Sequence, residues 1–142
     1  EQKLIAFPLG EFTRTIGGGL LYLGNEQYKY KSTITAVAQN VPALAAISPG
    51  DKIWIGCIQH LVGQAKKDIP HVFARPPVKE TIFAYDFKGK KVDFTHDDHE
   101  AILSKDGFIS YCPWLHMVVC EIVYEIAEWN LSQKWRLDLL EC

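Results

Sequence analysis

Between Trp114 and Cys142 the chain reads WLHMVVCEIVYEIAEWNLSQKWRLDLLEC, and apolar residues return at every second position along both of its halves. Cys120, Ile122, Tyr124 and Ile126 fall on one side of an extended chain while Glu121 and Glu125 interrupt the other, as in a strand with one buried face. After Asn130-Leu131-Ser132-Gln133 the alternation resumes, with Trp135, Leu137 and Leu139 set against Arg136 and Asp138. The pattern predicts a β-hairpin. If those four residues form its loop, Ile126 faces Leu137 and Tyr124 faces Leu139. Ile122, Tyr124, Ile126, Trp135, Leu137 and Leu139 then share one buried face, and a slip of one residue would set apolar against polar sides.

A helix over residues 113–129 competes with this reading. Pro113 suits a first helical position, Glu121, Glu125 and Glu128 would form one polar stripe, and Leu115, Val118, Val119, Ile122 and Ile126 would fill the buried side. Val118, Val119, Ile122, Val123 and Ile126 are all β-branched, however, which costs a helix roughly 2 to 3 kcal/mol relative to alanine. The strand is the preferred reading.

Upstream, Lys3 to Phe7 suggests a short strand that stops at Pro8, and Gly17-Gly18-Gly19 a flexible link into Leu20 to Leu23. Gly24-Asn25-Glu26 reads as a turn before Tyr28 to Ala38, where Tyr28, Tyr30, Ile34, Ala36 and Ala38 lie opposite Lys29, Lys31, Thr33 and Thr35. Gln39 to Ile47 fits a short helical turn or a crossing loop. Ser48-Pro49-Gly50-Asp51 is a turn, and Lys52 to Leu61 is apolar on both sides, which predicts a central strand. Gly63 to Val78 contains three prolines and reads as an irregular loop. Thr81 to Phe87 and Lys91 to Thr95 flank Lys88-Gly89-Lys90, and Ala101 to Ser104 and Phe108 to Tyr111 flank Lys105-Asp106-Gly107, each pair reading as a hairpin, with a helical turn through Leu103 capped by Asp98 as the alternative to the second. Turn signals at such short intervals predict a mainly β fold, an antiparallel β-sandwich or barrel built of hairpins with room for one or two short helices. The alternative is an α+β fold with a C-terminal helix at 113–129.

The length of 142 residues suits a single domain spanning residues 1–142, with 48% hydrophobic and 23% charged residues, as in ordinary globular chains. No apolar run approaches the length of a membrane span. The chain starts at Glu1 without methionine, carries four cysteines, Cys57, Cys112, Cys120 and Cys142, and holds one glycosylation sequon at Asn130. Together these lead us to expect a secreted, mature glycoprotein with two disulfide bonds. Cys120 and Cys142 fall on opposite faces of the expected hairpin and are poorly placed to pair with each other.

Net charge is −2, but residues 1–91 carry twelve Lys+Arg against seven Asp+Glu and residues 92–142 three against ten, giving +5 and −7. Such halves either attract one another within the fold or make a dipolar surface that steers a charged partner. Lys29 and Lys31 share one face of a strand, and Lys88, Lys90 and Lys91 cluster at a hairpin tip, so these five define the expected binding surface for an anionic partner. Nucleic acid is not indicated, because only three arginines are present and no basic run is interleaved with aromatics.

Catalytic signals are sparse. His96, Asp98 and His99 have metal-ligand chemistry, but neither the HExxH spacing nor a nearby cysteine accompanies them, so a solvated loop is the preferred reading and no metal or other cofactor is expected. Cys57 and His60 have the types of a thiolate dyad, yet three residues apart on a strand they point to opposite faces. His71, Arg75 and Glu80 have the types of a phosphodiester-cleaving site, within or beside the proline-rich loop. The triple glycine leads into a strand, not a helix, which argues against a phosphate cradle. Trp54, Trp114, Trp129 and Trp135, with Tyr28, Tyr30 and Tyr124, could line a cavity if the sheet closed into a barrel. These features lead to the expectation of a non-catalytic module that binds another macromolecule, as toxins, effectors and host-interaction proteins do. The alternatives are a β-barrel carrier of a small apolar ligand and a small hydrolase or nuclease using the histidine-bearing loops.

Overall fold

A computed structural model describes residues 1–23, 28–38, 46–126 and 133–142. It is mainly β and antiparallel, with strands β1 (Gln2–Pro8), β2 (Glu11–Arg14), β3 (Leu20–Leu23), β4 (Tyr28–Ala38), β5 (Lys52–Gly56), β6 (Leu61–Ala65), β7 (His71–Val72), β8 (Phe83–Tyr85), β9 (Phe94–His96), β10 (Glu100–Leu103), β11 (Gly107–Tyr111), β12 (Trp114–Ile126) and β13 (Gln133–Glu141). No α-helix occurs among the described residues, and none of their segments is a helix long and apolar enough to cross a membrane. The β-branched run in β12 therefore forms a strand, and the alternative helix at 113–129 is not formed. The chain divides into two compact units, Glu1–Ile53 with His116–Cys142, and Trp54–Leu115.

In the first unit β4 lies between β1 and β13, and β13 pairs with β12, all antiparallel. The expected alternation of β4 is met only in its middle, where Tyr30 and Ser32 are buried while Lys31 is exposed; Tyr28 is exposed, Lys29 is half-buried and residues 33–36 are half-buried on both sides. Tyr30, Met117, Val119, Leu137 and Leu139 form the buried side. The hairpin β12–β13 forms with a register different from the expected one. Tyr124 faces Trp135 and Ile122 faces Leu137, so the apolar sides still coincide, but Leu139 faces Val119. At the turn end the partner of Leu137 shifts by four residues because Gln133 belongs to β13 and pairs with Ile126 instead of lying in the loop, and a bulge at Cys120, between the pairs Val119–Leu139 and Glu121–Asp138, adds one more residue at Leu139. One extra residue reverses the parity of a strand, so Met117 and Val119 are buried at odd positions and Cys120 is exposed instead of lying on the core face. Tyr124, beyond the bulge and near the hairpin's far end, is 50% exposed.

Two acidic side chains face one another across that bulge, and Arg136 neutralises both: Nη2 donates to Glu121 at 3.2 Å and Nε to Asp138 at 3.1 Å. The carboxylates, Asp138 foremost, hold the guanidinium above its ordinary range. Asp138 also accepts the Thr33 hydroxyl at 2.8 Å, and Glu141 accepts the Tyr30 backbone N–H at 2.9 Å.

The strand at Lys52 is shorter than expected and sits at the end of the sheet order β1-β4-β13-β12-β5, not at its centre. Trp54 on it is 60% exposed, so its apolar run does not reflect burial on both faces. The glycines at 17–19 close the hairpin of β2 and β3, where Gly18 takes φ +82°, a left-handed conformation that a side chain resists.

The second unit is a small sandwich of two three-stranded antiparallel sheets, β7-β10-β9 and β6-β11-β8. Ala65, Ile109, Tyr111 and Ala84 from one sheet and Ala101 and Leu103 from the other join Phe73, Ile82 and Val92 in one core. The Phe73 and Tyr111 rings meet edge to face at 4.7 Å. The proline-containing stretch at 63–78 is only partly a loop, since it supplies the end of β6 and all of β7. The expected hairpin around Lys105-Asp106-Gly107 is also replaced: β10 pairs with β7 and β9, whereas β11 pairs with β6 and β8, so this turn carries the chain from one sheet to the other.

Charge is redistributed by this division. The first unit carries seven Lys+Arg against nine Asp+Glu, a net of −2, and the second eight against eight, a net of zero. The opposed halves of the sequence thus mix within each unit.

Candidate functional site

The most developed site lies where three turns of the second unit come together. Asp86 ends β8, and its carboxylate organises the turn that follows: Oδ1 accepts the N–H groups of Lys88 and Lys90, both at 2.9 Å. Asp86 N–H donates to the Lys90 carbonyl at 2.8 Å, Gly89 supplies φ +82°, and Tyr85 bridges to Lys91. The expected turn at Lys88-Gly89-Lys90 is therefore present, but its arms meet only beside the turn: β8 pairs with β11 and β9 with β10, so the expected hairpin of 81–87 with 91–95 gives way to strands in separate sheets. Asp86 is only 6% exposed, and its Oδ2 receives Lys105 Nζ at 3.2 Å from the turn between β10 and β11. The backbone N–H of Lys90, then the Lys105 ammonium and the N–H of Lys88, hold this carboxyl below the ordinary carboxylate value, against the effect of burial. In the third turn Lys67 N–H donates to Asp106 Oδ1 at 2.6 Å, and Lys67 bridges to Leu103.

Between these turns is a groove of about 400 Å³ lined by Lys67, Asp86, Phe87, Lys88, Lys105 and Asp106. Each of its carboxylates accepts hydrogen bonds from within the unit, and Phe87 offers an apolar face, 60% exposed. Three ammonium groups against two engaged carboxylates give a site with net positive charge suited to an anion. Lys90 and Lys91 follow on the same exposed turn. Of the lysines expected to bind, Lys88, Lys90 and Lys91 are thus gathered in the second unit, whereas Lys29 and Lys31 lie on β4 in the first. Sequence reading missed Lys67 and Lys105. The Lys-Asp-Gly turn at 105–107 was the signal for the second, but only the crossing between sheets brings it to Asp86.

The remaining candidates fall elsewhere. His71 is half-buried on β7, and its imidazole covers Gly63 on the other sheet, with Cε1 2.6 Å from where a Cβ would stand; its edge meets Phe73 at 6.1 Å. Arg75 is half-buried downstream, and Glu80 is exposed in a turn with φ 67°. His96 is exposed at the end of β9, tilted on Phe94 at 5.8 Å, while Asp98 and His99 are exposed in the β9–β10 turn. That turn is held by Asp97, which accepts the N–H groups of His99 at 2.7 Å and Glu100 at 2.8 Å, bonds that lower its pKa. No group of three metal-ligating side chains is assembled among the described residues.

His60 pairs with Ser110, Oγ to Nδ1 at 2.9 Å, a contact absent from the sequence expectation. Phe83 lies 6.3 Å from its ring.

None of the four cysteines is in a disulfide, so the expected two bonds are not formed. Cys142 donates its N–H to the His116 carbonyl, and Cys120 lies four residues further along β12. At about 3.3 Å per residue that is far beyond the roughly 7 Å that a disulfide spans between Cα atoms. Cys57 N–H donates to Pro113, not Cys112, at 2.9 Å. The sequon at Asn130 and Trp129 lie outside the described residues.

Comparison with protein-family models, with curated proteins and with solved structures found no match.

Proposed function

We propose that this protein is a non-catalytic binding module that receives an anionic macromolecular partner at the lysine-lined end of its second unit. The observation that carries this reading is the groove itself, whose lining combines Lys67, Lys88 and Lys105 with a buried carboxylate that fixes two of the three turns. Rigid turns present the ammonium groups without the ordering cost that flexible loops incur. Action outside the cell is proposed on the sequon at Asn130, since the thiols withdraw the disulfide argument.

The test is association with poly-L-glutamate measured across a salt series. The Lys88→Glu, Lys90→Glu, Lys91→Glu variant should associate about tenfold more slowly at low salt, with the difference shrinking as screening rises. Equal rates for the variant and the native protein would reject the site.

The hydrolase alternative gains one contact, Ser110 with His60. Its imidazole is exposed, and among the described residues no carboxylate is hydrogen-bonded to the ring to orient it. A serine nucleophile needs that third group and an oxyanion site. The carrier alternative has less support, because the interior of the second unit is filled by its own core side chains.

A further inference from the structure

Strand β11 is the middle of the sheet β6-β11-β8, and its alternation divides cleanly. Gly107, Ile109 and Tyr111 are buried toward the core, so Phe108 and Ser110 point outward. The register sets Phe108 between Gln64 and Tyr85, and Ser110 between Val62 and Phe83. Val62, Phe83 and Phe108 are all exposed on this outer face. A sheet face in contact with water is ordinarily polar, and a cluster of this kind marks an interaction surface. The face also leads to the groove. Phe87 stands edge-on to Phe108 at 5.3 Å and is itself a wall of the lysine-lined cavity.

We propose that the outer face of β6-β11-β8 and the groove form one peptide-binding surface, whose ligand is an acidic segment of a partner protein carrying aromatic or large apolar residues beside its carboxylates. The lysines would take the carboxylates, and Phe83, Phe87 and Phe108 the apolar side chains, which gain from edge-to-face contacts. Charge complementarity selects this occupant. Asp86 and Asp106 leave the groove one net positive charge among its lining residues, which suits scattered carboxylates better than a phosphodiester chain with a charge on every nucleotide. The inference rests on the binding-module reading and narrows it to one partner chemistry.

The experiment compares three probes by calorimetry on the full chain: a short synthetic peptide in which glutamate alternates with phenylalanine, the same peptide with serine for each phenylalanine, and an oligothymidylate. The phenylalanine peptide should bind about tenfold more tightly than its serine counterpart. Phe83→Ser with Phe108→Ser should close that gap while far-ultraviolet circular dichroism stays native, Phe83→Ser alone should narrow it, and Lys88→Glu should weaken both peptides. Equal binding of the two peptides, with sensitivity to Lys88→Glu, would overturn the aromatic anchor and leave the binding module standing. Tighter binding of the oligothymidylate would replace the peptide with a nucleic acid. Binding of none of the three would remove both proposals.

Discussion

Lys105 Nζ donates to Asp86 Oδ2 at 3.2 Å, while the other oxygen of that carboxylate holds the N–H groups of Lys88 and Lys90. One acid thus fixes both the lysine turn and the neighbouring turn that lines the groove with it. Because these bonds lower the Asp86 pKa, their stabilising effect is complete above the ordinary carboxylate value of 3.8 and is lost as pH falls through the lower folded value. Asp97 contributes in the same direction. Asp86→Asn should therefore lower the melting temperature at neutral pH, and the gap from the native protein should narrow below pH 3.8. A gap constant from neutrality into acid would show that the charge of Asp86 has no part in holding the turns.

Gly107 is required by its neighbour across the sheet, since a Cβ there would overlap the Tyr85 carbonyl oxygen. Backbone cannot swing aside as a side-chain tip can, so Gly107→Ala should destabilise by about 3 kcal/mol. Gly63 is different because the obstacle is the His71 ring. Gly63→Ala should be destabilising in the native chain and markedly less so in a His71→Ala background, a non-additivity that urea unfolding of the four forms would measure. Additive effects would remove the packing role assigned to His71.

The bulge at Cys120 decides which large side chains matter in the first unit. Leu139 is fully buried against Val119, and Leu139→Ala should cost about 2 to 5 kcal/mol. Tyr124, half exposed beyond the bulge, should cost no more than about 1.5 kcal/mol as alanine. Chemical unfolding of both variants checks the order, and a larger loss at Tyr124 would contradict the register.

Much of this fold was legible locally: the β12–β13 hairpin and the strand at 28–38 follow from patterning, and the turn at 88–90 from its glycine. The bulge was not, because alternation on either side of an extra residue looks the same and only the partner strand reveals the change of parity. The crossing at 104–106 was equally hidden, since a lysine-aspartate-glycine turn closes a hairpin or joins two sheets with the same residues. The site followed the same division. Lys88, Lys90 and Lys91 are neighbours in sequence and were found, whereas Lys105 reaches Asp86, and Lys67 joins the lining of the same groove, only through sheet topology. The cysteines were misread because their number suggested pairing, and pairing depends on strand register.

Thiol accessibility follows from that register. Cys120 and Cys142 are exposed and Cys57 and Cys112 buried. Mass spectrometry of the native, unreduced protein should find two cysteines that alkylate rapidly and two that react only on unfolding, with none oxidised to a disulfide. A mass lower by the hydrogens of one or two disulfides would contradict the structure.

The binding site itself is tested most directly by backbone amide shifts in a nuclear magnetic resonance titration with the phenylalanine–glutamate peptide. The expected perturbations gather at Lys67, Phe87, Lys88, Lys105 and Phe108, and they are weakened by Lys88→Glu. Perturbations centred instead on His96, Asp98 and His99, or on His71 and Arg75, would contradict the lysine groove as the functional site.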